Sequence, residues 1–312
     1  MRFDPELDVP RTARETRERV DLVVDHLCRA YSSTTASELL PRVDQYRRYV
    51  KTLWENAATV SERHGLMVAA GWLSALLACL QWDMGNRSAA ESNRLAVFHL
   101  GYEGGHPELM AWAFEIRAWV AVVEGEFIKA AKIARAGQDI TSAAGSVQVQ
   151  LAVQEAKAWA RLGDGHATEH ALRRAEATLE ALPPPSNPEH HFVFDPTKLL
   201  SFAGTCYVWL KQDLTADSYA REVIRHSLAA GCLTRLAEAH VNLGFVALRR
   251  GELEGACGHG RQAMDSTRLC ATTLVRLEEL QIALRKDYHE TPEFRDFHER
   301  YILSRRKASG LA

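Results

Sequence analysis

The 312-residue sequence has almost no net charge, few cysteines and no closely paired cysteines. Its 38 lysine and arginine residues nearly balance its 40 aspartate and glutamate residues, leaving a formal net charge of −2. A chain so close to neutrality produces no global field that would attract nucleic acid or an anionic membrane. The cysteines lie singly in apolar stretches, so we expect them to be reduced and buried. They are Cys28, Cys79, Cys206, Cys232, Cys257 and Cys270.

The sequence also offers little that would direct it to a membrane. We find no apolar run close to the length of about 18 residues that a spanning helix needs. The N-terminal stretch MRFDPELDVP lacks the apolar core of a secretory signal. These features predict a soluble, cytoplasmic protein that does not contact a membrane.

Motifs that carry catalysis, metal binding or nucleotide binding are missing as well. His166 and His170 have the spacing of two metal ligands on one helix, but the sequence indicates no third ligand. The glycine-rich segment 101–105 follows a helical pattern and lacks the lysine of a phosphate-binding loop, so we interpret it as a helix terminator. No local motif assembles a Ser-His-Asp or Cys-His arrangement. We therefore predict a protein that is not an enzyme and has no cofactor and no metal.

A DNA-reading element is also absent from the pattern. Arg14, Arg17 and Arg19 are interleaved with Glu15 and Glu18, which is typical of a solvated helix face. We find no helix-turn-helix pattern, with its tight turn before a recognition helix. The chain is therefore not expected to bind nucleic acid directly.

What the sequence does contain is a repeated unit of two alanine-rich helices joined by a turn. The clearest copy is Ala237–Ala263, in which Leu243-Gly244 lies in the first helix and Gly251 in the turn. Small residues allow paired helices to approach closely, and stacking the pairs buries faces that one pair alone leaves exposed. The alanines after the turns, at intervals of 40, 37, 49 and 40 residues, are Ala90, Ala130, Ala167, Ala216 and Ala256.

The pattern predicts an all-α fold, a tetratricopeptide-like helical-repeat solenoid that forms a right-handed superhelix of antiparallel helix pairs. The intervals lie between the period of about 34 for tetratricopeptide repeats and about 40–47 for armadillo and HEAT repeats. The Leu243-Gly244 pair favours the former. Prolines between residues 183 and 188 indicate a loop inserted in the long interval, because proline interrupts a helix. Segment 190–194 is the best strand candidate, and we expect it to be an extended loop packed against the helices.

We expect 13 or 14 helices in two parts. Helices over Arg14–Ala30 and Glu38–Arg63, with Thr35 or Ser37 as N-cap, would form an N-terminal cap in residues 1–66. Residues 67–312 would form the array, ending in capping helices within 271–308. The predicted repeat units are 67–105, 106–145, 146–187, 194–231 and 232–270.

The first helix of each pair should line a concave groove. Aligned on Gly244, the positions six residues before and one after it should face that groove. Its N-terminal half would be aromatic and its middle polar and cationic, which suits an extended peptide or an amphipathic acid. The alternative is that the tryptophans are core residues wedged between paired helices. The candidate groove residues are Trp72, Trp112, Glu115, Trp119, Gln150, Gln154, Lys157, Lys198, Thr205, Glu238 and Phe245.

Three segments, Ala30–Tyr49, Ala181–Ile224 and Ala237–Ala263, resemble the tetratricopeptide-like sensor region of actinobacterial XRE-family helix-turn-helix regulators. The resemblance runs from about Ala30 to the end of the chain, and is most specific at the proline loop and the following His-Phe-Val-Phe-Asp. It implies an array that senses a ligand or partner protein and dimerises. The family's DNA-binding domain has no counterpart here, since residues 1–29 are too short and have the wrong pattern.

Two functions follow as hypotheses. The first is a ligand- or peptide-sensing and protein-interaction module of a transcriptional regulatory protein, which acts by a conformational change of the superhelix. The alternative is a stand-alone adaptor that binds a partner protein from a biosynthetic or developmental gene cluster. A homodimer is also expected, formed through an apolar face of Leu274, Leu277, Leu280 and Leu284.

Overall fold

The computed structural model of the protein describes residues 13–141, 145–230, 233–266 and 269–308. Within these residues the chain forms fourteen α-helices and no strand, which confirms the all-α prediction. The helices are α1 (Ala13–Ala30), α2 (Ala36–Asn56), α3 (Val60–Asp83), α4 (Arg87–Glu103), α5 (Pro107–Val123), α6 (Phe127–Gln138), α7 (Ser146–Arg161), α8 (Gly165–Glu180), α9 (Pro196–Trp209), α10 (Asp213–Ala230), α11 (Leu233–Arg249), α12 (Leu253–Met264), α13 (Ala271–Tyr288) and α14 (Pro292–Ala308).

The helices pack in an alternating pattern. From α1 to α13, each odd-numbered helix contacts the next odd-numbered one, and each even-numbered helix contacts its neighbours in the chain. The odd-numbered helices therefore form one continuous layer, and the even-numbered helices pack against it. Helix α14 departs from this order because it packs against both α12 and α13.

Five helix pairs are joined by tight turns with one shared backbone conformation. Gly85, Gly125, Gly163 and Gly251 have φ between 77° and 81°, a region that other residues adopt at a cost. Lys211 takes the equivalent place in the turn between α9 and α10, with φ of 59°. The repeated turn therefore keeps its shape even where the sequence lacks the glycine.

The small residue five positions after each turn residue is buried, which corrects one step of the predicted alignment. In the third pair this residue is Thr168, which is fully buried, whereas Ala167 is half-buried. The Thr168 amide donates to the Asp164 carbonyl, as the amides of Ala90, Ala130 and Ala256 do to the residues four before them. The Thr168 hydroxyl donates to the same carbonyl at 2.7 Å, so this polar side chain fits where alanine stands elsewhere.

The predicted helix Glu38–Arg63 is in fact two helices. Helix α2 begins after Thr35, as expected, but ends at Asn56. Helix α3 begins at Val60 because Thr59 and Glu62 form a capping box, in which each side chain accepts a hydrogen bond from the other's backbone amide.

Helix α3 also corrects the expectation about apolar runs. It is long and apolar enough to cross a membrane by length and composition, because residues 65–82 include no charged side chain. In its most apolar window, however, 72% is buried inside the fold. Helices α1, α2, α4 and α5 surround it, so it is apolar all round as a core helix is.

The loop between α8 and α9, residues 181–195, crosses over to α1. The His191 amide donates to the Cys28 carbonyl at 3.2 Å, and Asn187 donates to Asp25 at 3.4 Å. Phe192 and Phe194 are 3% and 2% exposed. The segment is thus a loop packed against the helices, as predicted, and we call it the α8–α9 loop.

The leucines of α13 belong to the core. Leu277, Leu280 and Leu284 are fully buried in a cluster with Phe297 of α14 and residues of α11 and α12, while Leu274 is half-buried. The predicted dimer face is therefore wrong, because α14 and α11 already cover it.

Candidate ligand-binding cavity

The odd-numbered helices line a partly open cavity of about 160 Å³. Every odd-numbered helix from α3 to α11 contributes to its wall, together with the start of α13, the turn after α1 and the α8–α9 loop. Eight of the eleven predicted groove residues line it: Trp112, Glu115, Trp119, Gln150, Gln154, Lys157, Lys198 and Glu238.

The other three predicted residues lie nearby but not in this cavity. Thr205 lines a smaller adjacent cavity, of about 20 Å³, which Lys157 and Glu238 also touch. The Trp72 ring packs against the Phe192 ring with their centroids 5.4 Å apart. The Phe245 ring lies under the Arg276 guanidinium at 4.9 Å and so belongs to the α11–α13 contact.

The two tryptophans of α5 fit both interpretations of the sequence, as residues that line a cavity and as core residues. Trp112 is 2% exposed and meets Phe192 edge to face at 5.0 Å, so it is a core residue that also forms cavity wall. Trp119 is half-buried, and its Nε1 donates to Thr272 Oγ1 at 2.9 Å. Trp112 and Trp119 therefore pack within the fold and line the cavity at the same time.

A buried carboxylate and two amides form one polar part of the wall. Glu115 Oε1 accepts hydrogen bonds from Gln150 Nε2 at 3.0 Å and from Gln154 Nε2 at 2.7 Å. Burial raises the pKa of Glu115, although these two bonds and Lys157 oppose the shift. The Oε1 atoms of both glutamines are buried without a hydrogen-bond partner. The cluster therefore has acceptor capacity that the protein leaves unused.

Lys157 is a buried cation in the same wall. It is 3% exposed, and its Nζ lies 4.9 Å from the centre of the Phe202 ring. Among the described residues its ammonium has no hydrogen-bond or ion-pair partner. Burial lowers the pKa of Lys157, and the carboxylate of Glu238, whose own pKa burial raises, is the strongest opposing influence.

Lys198 and Arg235 hold the α8–α9 loop against the cavity. Lys198 Nζ donates to the carbonyls of His191 at 2.9 Å and Val193 at 2.8 Å. Arg235 pairs with the buried Asp195 carboxylate at 2.6 Å and donates to the Pro188 carbonyl at 3.1 Å. Lys198, predicted to contact a ligand, thus has a structural role in closing the cavity.

The opposite side of the cavity is closed by contacts between α13 and the N-terminal helices. Asp83 accepts a hydrogen bond from the Tyr31 hydroxyl at 2.8 Å and another from the Ala271 amide at 3.0 Å. Arg161 of α7 pairs with Glu279 of α13 at 2.8 Å. These contacts join segments that are far apart in the sequence, and we call the cavity between them the chamber.

Several wall residues were missed by the sequence analysis. Tyr31 and His191 come from loops, with their rings tilted by 35° and their centroids 3.9 Å apart, and Thr272 comes from the start of α13. The alignment on Gly244 could not identify these residues, because they lie outside the first helices of the predicted pairs. Phe202 lies one helical turn after Lys198, which is the one signal that could have found it.

The described residues contain no group of three or more histidine, cysteine or acidic side chains arranged to hold a metal ion. Five cysteines are free, four of them buried and Cys270 partly so, while Cys232 lies outside the described residues. No family model matches the sequence, and no curated protein is significantly similar to it. The function must therefore be argued from the cavity.

Proposed function

We propose that the chain is the sensor module of a transcriptional regulatory protein and that it binds a small ligand inside the chamber. The observation that carries the proposal is a cavity whose wall holds polar groups without a partner among the described residues. Trp112 Nε1 and the two glutamine Oε1 atoms are buried and unpaired, and Lys157 Nζ has no hydrogen-bond or ion-pair partner. Buried polar groups are normally hydrogen-bonded, and leaving them unpaired is costly. A bound polar molecule would supply the missing partners.

We further propose that the alternating helices are tetratricopeptide-like repeats, stacked as antiparallel pairs in a right-handed superhelix. Its support is the repeated left-handed turn residue, found at Gly85, Gly125, Gly163, Lys211 and Gly251, together with the continuous layer of odd-numbered helices. In such an array the first helix of each pair faces the concave side. The link to transcription depends on the resemblance to XRE-family sensor regions.

The size of the cavity favours a small ligand over an extended peptide. Its volume is about 160 Å³, and the α8–α9 loop and the start of α13 both form part of its wall. A movement of the loop or of α13 would therefore change the shape of the cavity. A ligand that binds the closed state more tightly would shift the equilibrium between open and closed states, and a DNA-binding domain or partner could read that shift.

The adaptor alternative has less support. The outer helices do expose large apolar side chains, such as Tyr102 on α4, Ile128 on α6 and Leu214 on α10. Single exposed apolar residues are common on protein surfaces and do not indicate a partner. Homodimerisation stays a prediction, now without the apolar face first expected for it.

The first test is native mass spectrometry of the protein purified from its own host. We expect a small molecule to be retained and to leave on denaturation. The Trp112→Ala/Trp119→Ala double variant should lose that molecule, whereas Trp54→Ala, at an exposed site, should keep it. A retained protein in place of a small molecule would favour the adaptor, and an empty chamber in every preparation would contradict the sensor function.

A further inference from the structure

We propose that the chamber recognises a small aliphatic α-amino acid in its zwitterionic form. This inference rests on the proposed function and specifies its ligand class. It follows from three properties of the wall: its size, the Lys157 cation, which has no partner among the described residues, and its cluster of unpaired acceptors.

The size of the chamber limits the ligand. Its volume is about 160 Å³, and an apolar cavity of about 150 Å³ holds a molecule the size of benzene. The ligand should therefore have about six to nine non-hydrogen atoms, by comparison with such cavities. Valine and leucine fall in this range, whereas a dipeptide of larger residues does not.

The cationic side of the chamber calls for an anion. Lys157 is 3% exposed, and no acidic side chain of the described residues pairs with its ammonium within the usual ion-pair distance. Trp112 Nε1 is a second buried donor without a partner in the same wall. A carboxylate is the small group that accepts from both an ammonium and an indole N–H.

The acceptor side calls for a cation with several N–H donors. Gln150 and Gln154 both donate to Glu115 Oε1, which holds the three side chains together, and both of their own Oε1 atoms are left without donors. Neither Glu115 nor Glu238 forms an ion pair with a described residue. An ammonium group has three donors and a positive charge, so it can satisfy this cluster.

The apolar part of the wall suits an aliphatic side chain between the two poles. Trp112, Trp119 and Phe202 supply ring faces and edges there. A molecule with only a carboxylate would leave the acceptor cluster unsatisfied, and one with only an ammonium would leave the buried Lys157 ammonium without an ion-pair partner. A zwitterion satisfies both, and this distinguishes it from simple acids and amines.

The test compares three probes of nearly the same shape on the full chain, after bound molecules have been removed by dialysis. The probes are L-leucine, 4-methylpentanoate, which lacks the ammonium, and 3-methylbutylamine, which lacks the carboxylate. Isothermal titration should give leucine a Kd at least tenfold lower than either analogue. Because the comparison is made on the unmodified protein, it does not depend on any variant folding.

A variant then assigns the anionic pole. Lys157→Met keeps the length of the side chain and removes its charge, so it should lose the preference for leucine over 3-methylbutylamine. Lys132→Met, at an exposed site on α6, is the matched control and should bind as the unmodified protein does. If Lys157→Met keeps the full preference, the assignment of the carboxylate to Lys157 is wrong.

The outcomes separate this inference from the proposed function. If 4-methylpentanoate or 3-methylbutylamine binds as tightly as leucine, the chamber is a ligand site but the zwitterion class is wrong. The same holds if no probe binds and the molecule retained from the host lacks either charged group. If no probe binds and the host protein carries no small molecule, both proposals are overturned.

Discussion

Burial changes the pKa values of three ionisable side chains in the chamber wall. Glu115 and Glu238 have raised pKa values because burial disfavours their charged forms, and Lys157 has a lowered pKa for the same reason. All three pKa shifts disfavour the charged form of the side chain. A ligand that pairs these groups should therefore also stabilise the fold.

The raised pKa of Glu115 makes a prediction about stability. The folded state holds this proton at pH values where the unfolded chain, with a Glu pKa near 4.5, has released it. The contribution of Glu115 is therefore fully present below pH 4.5 and is lost as pH rises through the folded pKa, by up to about 1.4 kcal/mol per pH unit. Urea unfolding at pH 5 and pH 8 should show a smaller loss for Glu115→Gln than for the unmodified protein.

Glu103→Gln, on the exposed end of α4, is the control for that experiment, and its pH dependence should match that of the unmodified protein. Equal pH dependence in all three proteins would mean that folding does not raise the pKa of Glu115.

A histidine pair predicts a pH effect of opposite sign. His240 and His259 stack with their centroids 5.5 Å apart, and burial, followed by the neighbouring His259, lowers the pKa of His240 to about 4. Between this pKa and the ordinary value of 6.5, the side chain of His240 is protonated in the unfolded chain and neutral in the folded state. Stability should fall as pH drops from about 6.5 towards 4, by up to about 1.4 kcal/mol per pH unit.

The check is thermal or urea unfolding between pH 7 and pH 4.5. His240→Gln should lose less stability over this range than the unmodified protein, whereas His166→Gln, at an exposed position, should behave like it. If His240→Gln and His166→Gln lose the same stability over this pH range, folding does not lower the pKa of His240.

At the level of elements, the α8–α9 loop is held by a buried ion pair at its end. Asp195 caps α9 by accepting from the Lys198 amide at 3.2 Å, and it also pairs with Arg235 of α11. The side chains of Asp195 and Arg235 are 6% and 14% exposed. The same carboxylate therefore begins a helix and fixes the loop to a second helix.

Asp195→Asn separates these two roles. The amide oxygen can still cap α9, but Arg235 loses its counter-charge in a buried place, so we expect the free energy of unfolding to fall by about 3 kcal/mol. The matched variant is Asp213→Asn, whose partner Arg249 is more exposed, and it should cost at most about 1 kcal/mol. Equal losses measured by urea unfolding would indicate that burial does not set the strength of these pairs.

At the level of the whole molecule, segments from the two halves of the chain meet at Asp83. This residue lies at the end of α3 and connects Tyr31, after α1, to the Ala271 amide at the start of α13. Trp119 and Thr272 add a second connection close by. These contacts between distant segments complete one side of the chamber wall.

Asp83→Ala should loosen this closure without unfolding the helices. We expect faster hydrogen exchange at the amides of the first turn of α13, with Ala271 most affected, and unchanged exchange in α7 and α8. Asp287→Ala, near the exposed end of α13, is the control and should leave the pattern unaltered. Unchanged exchange at Ala271 in the Asp83 variant would show that other contacts are sufficient to hold α13.

The sequence was most informative where one helix and its turn carry the pattern. Alignment on Gly244 placed Trp112, Gln150, Lys198 and Glu238 at one helix position, and all four line the chamber. The same alignment failed at Trp72 and Phe245, where the α8–α9 loop and Arg276 cover the positions. It could not anticipate those covers because each comes from a distant segment.

The sequence by itself determined the all-α class, the glycine turns and the inward stripe of the odd-numbered helices. These depend on the 3.6-residue period and on glycine or capping residues, which act over a few neighbouring positions. The tertiary structure alone decided that the stripe lines a chamber, that Lys198 holds a loop, and that the leucines of α13 are covered. Those outcomes depend on contacts such as His191 to Cys28 and Ala271 to Asp83, whose partners are so far apart in the chain that no local pattern encodes their meeting.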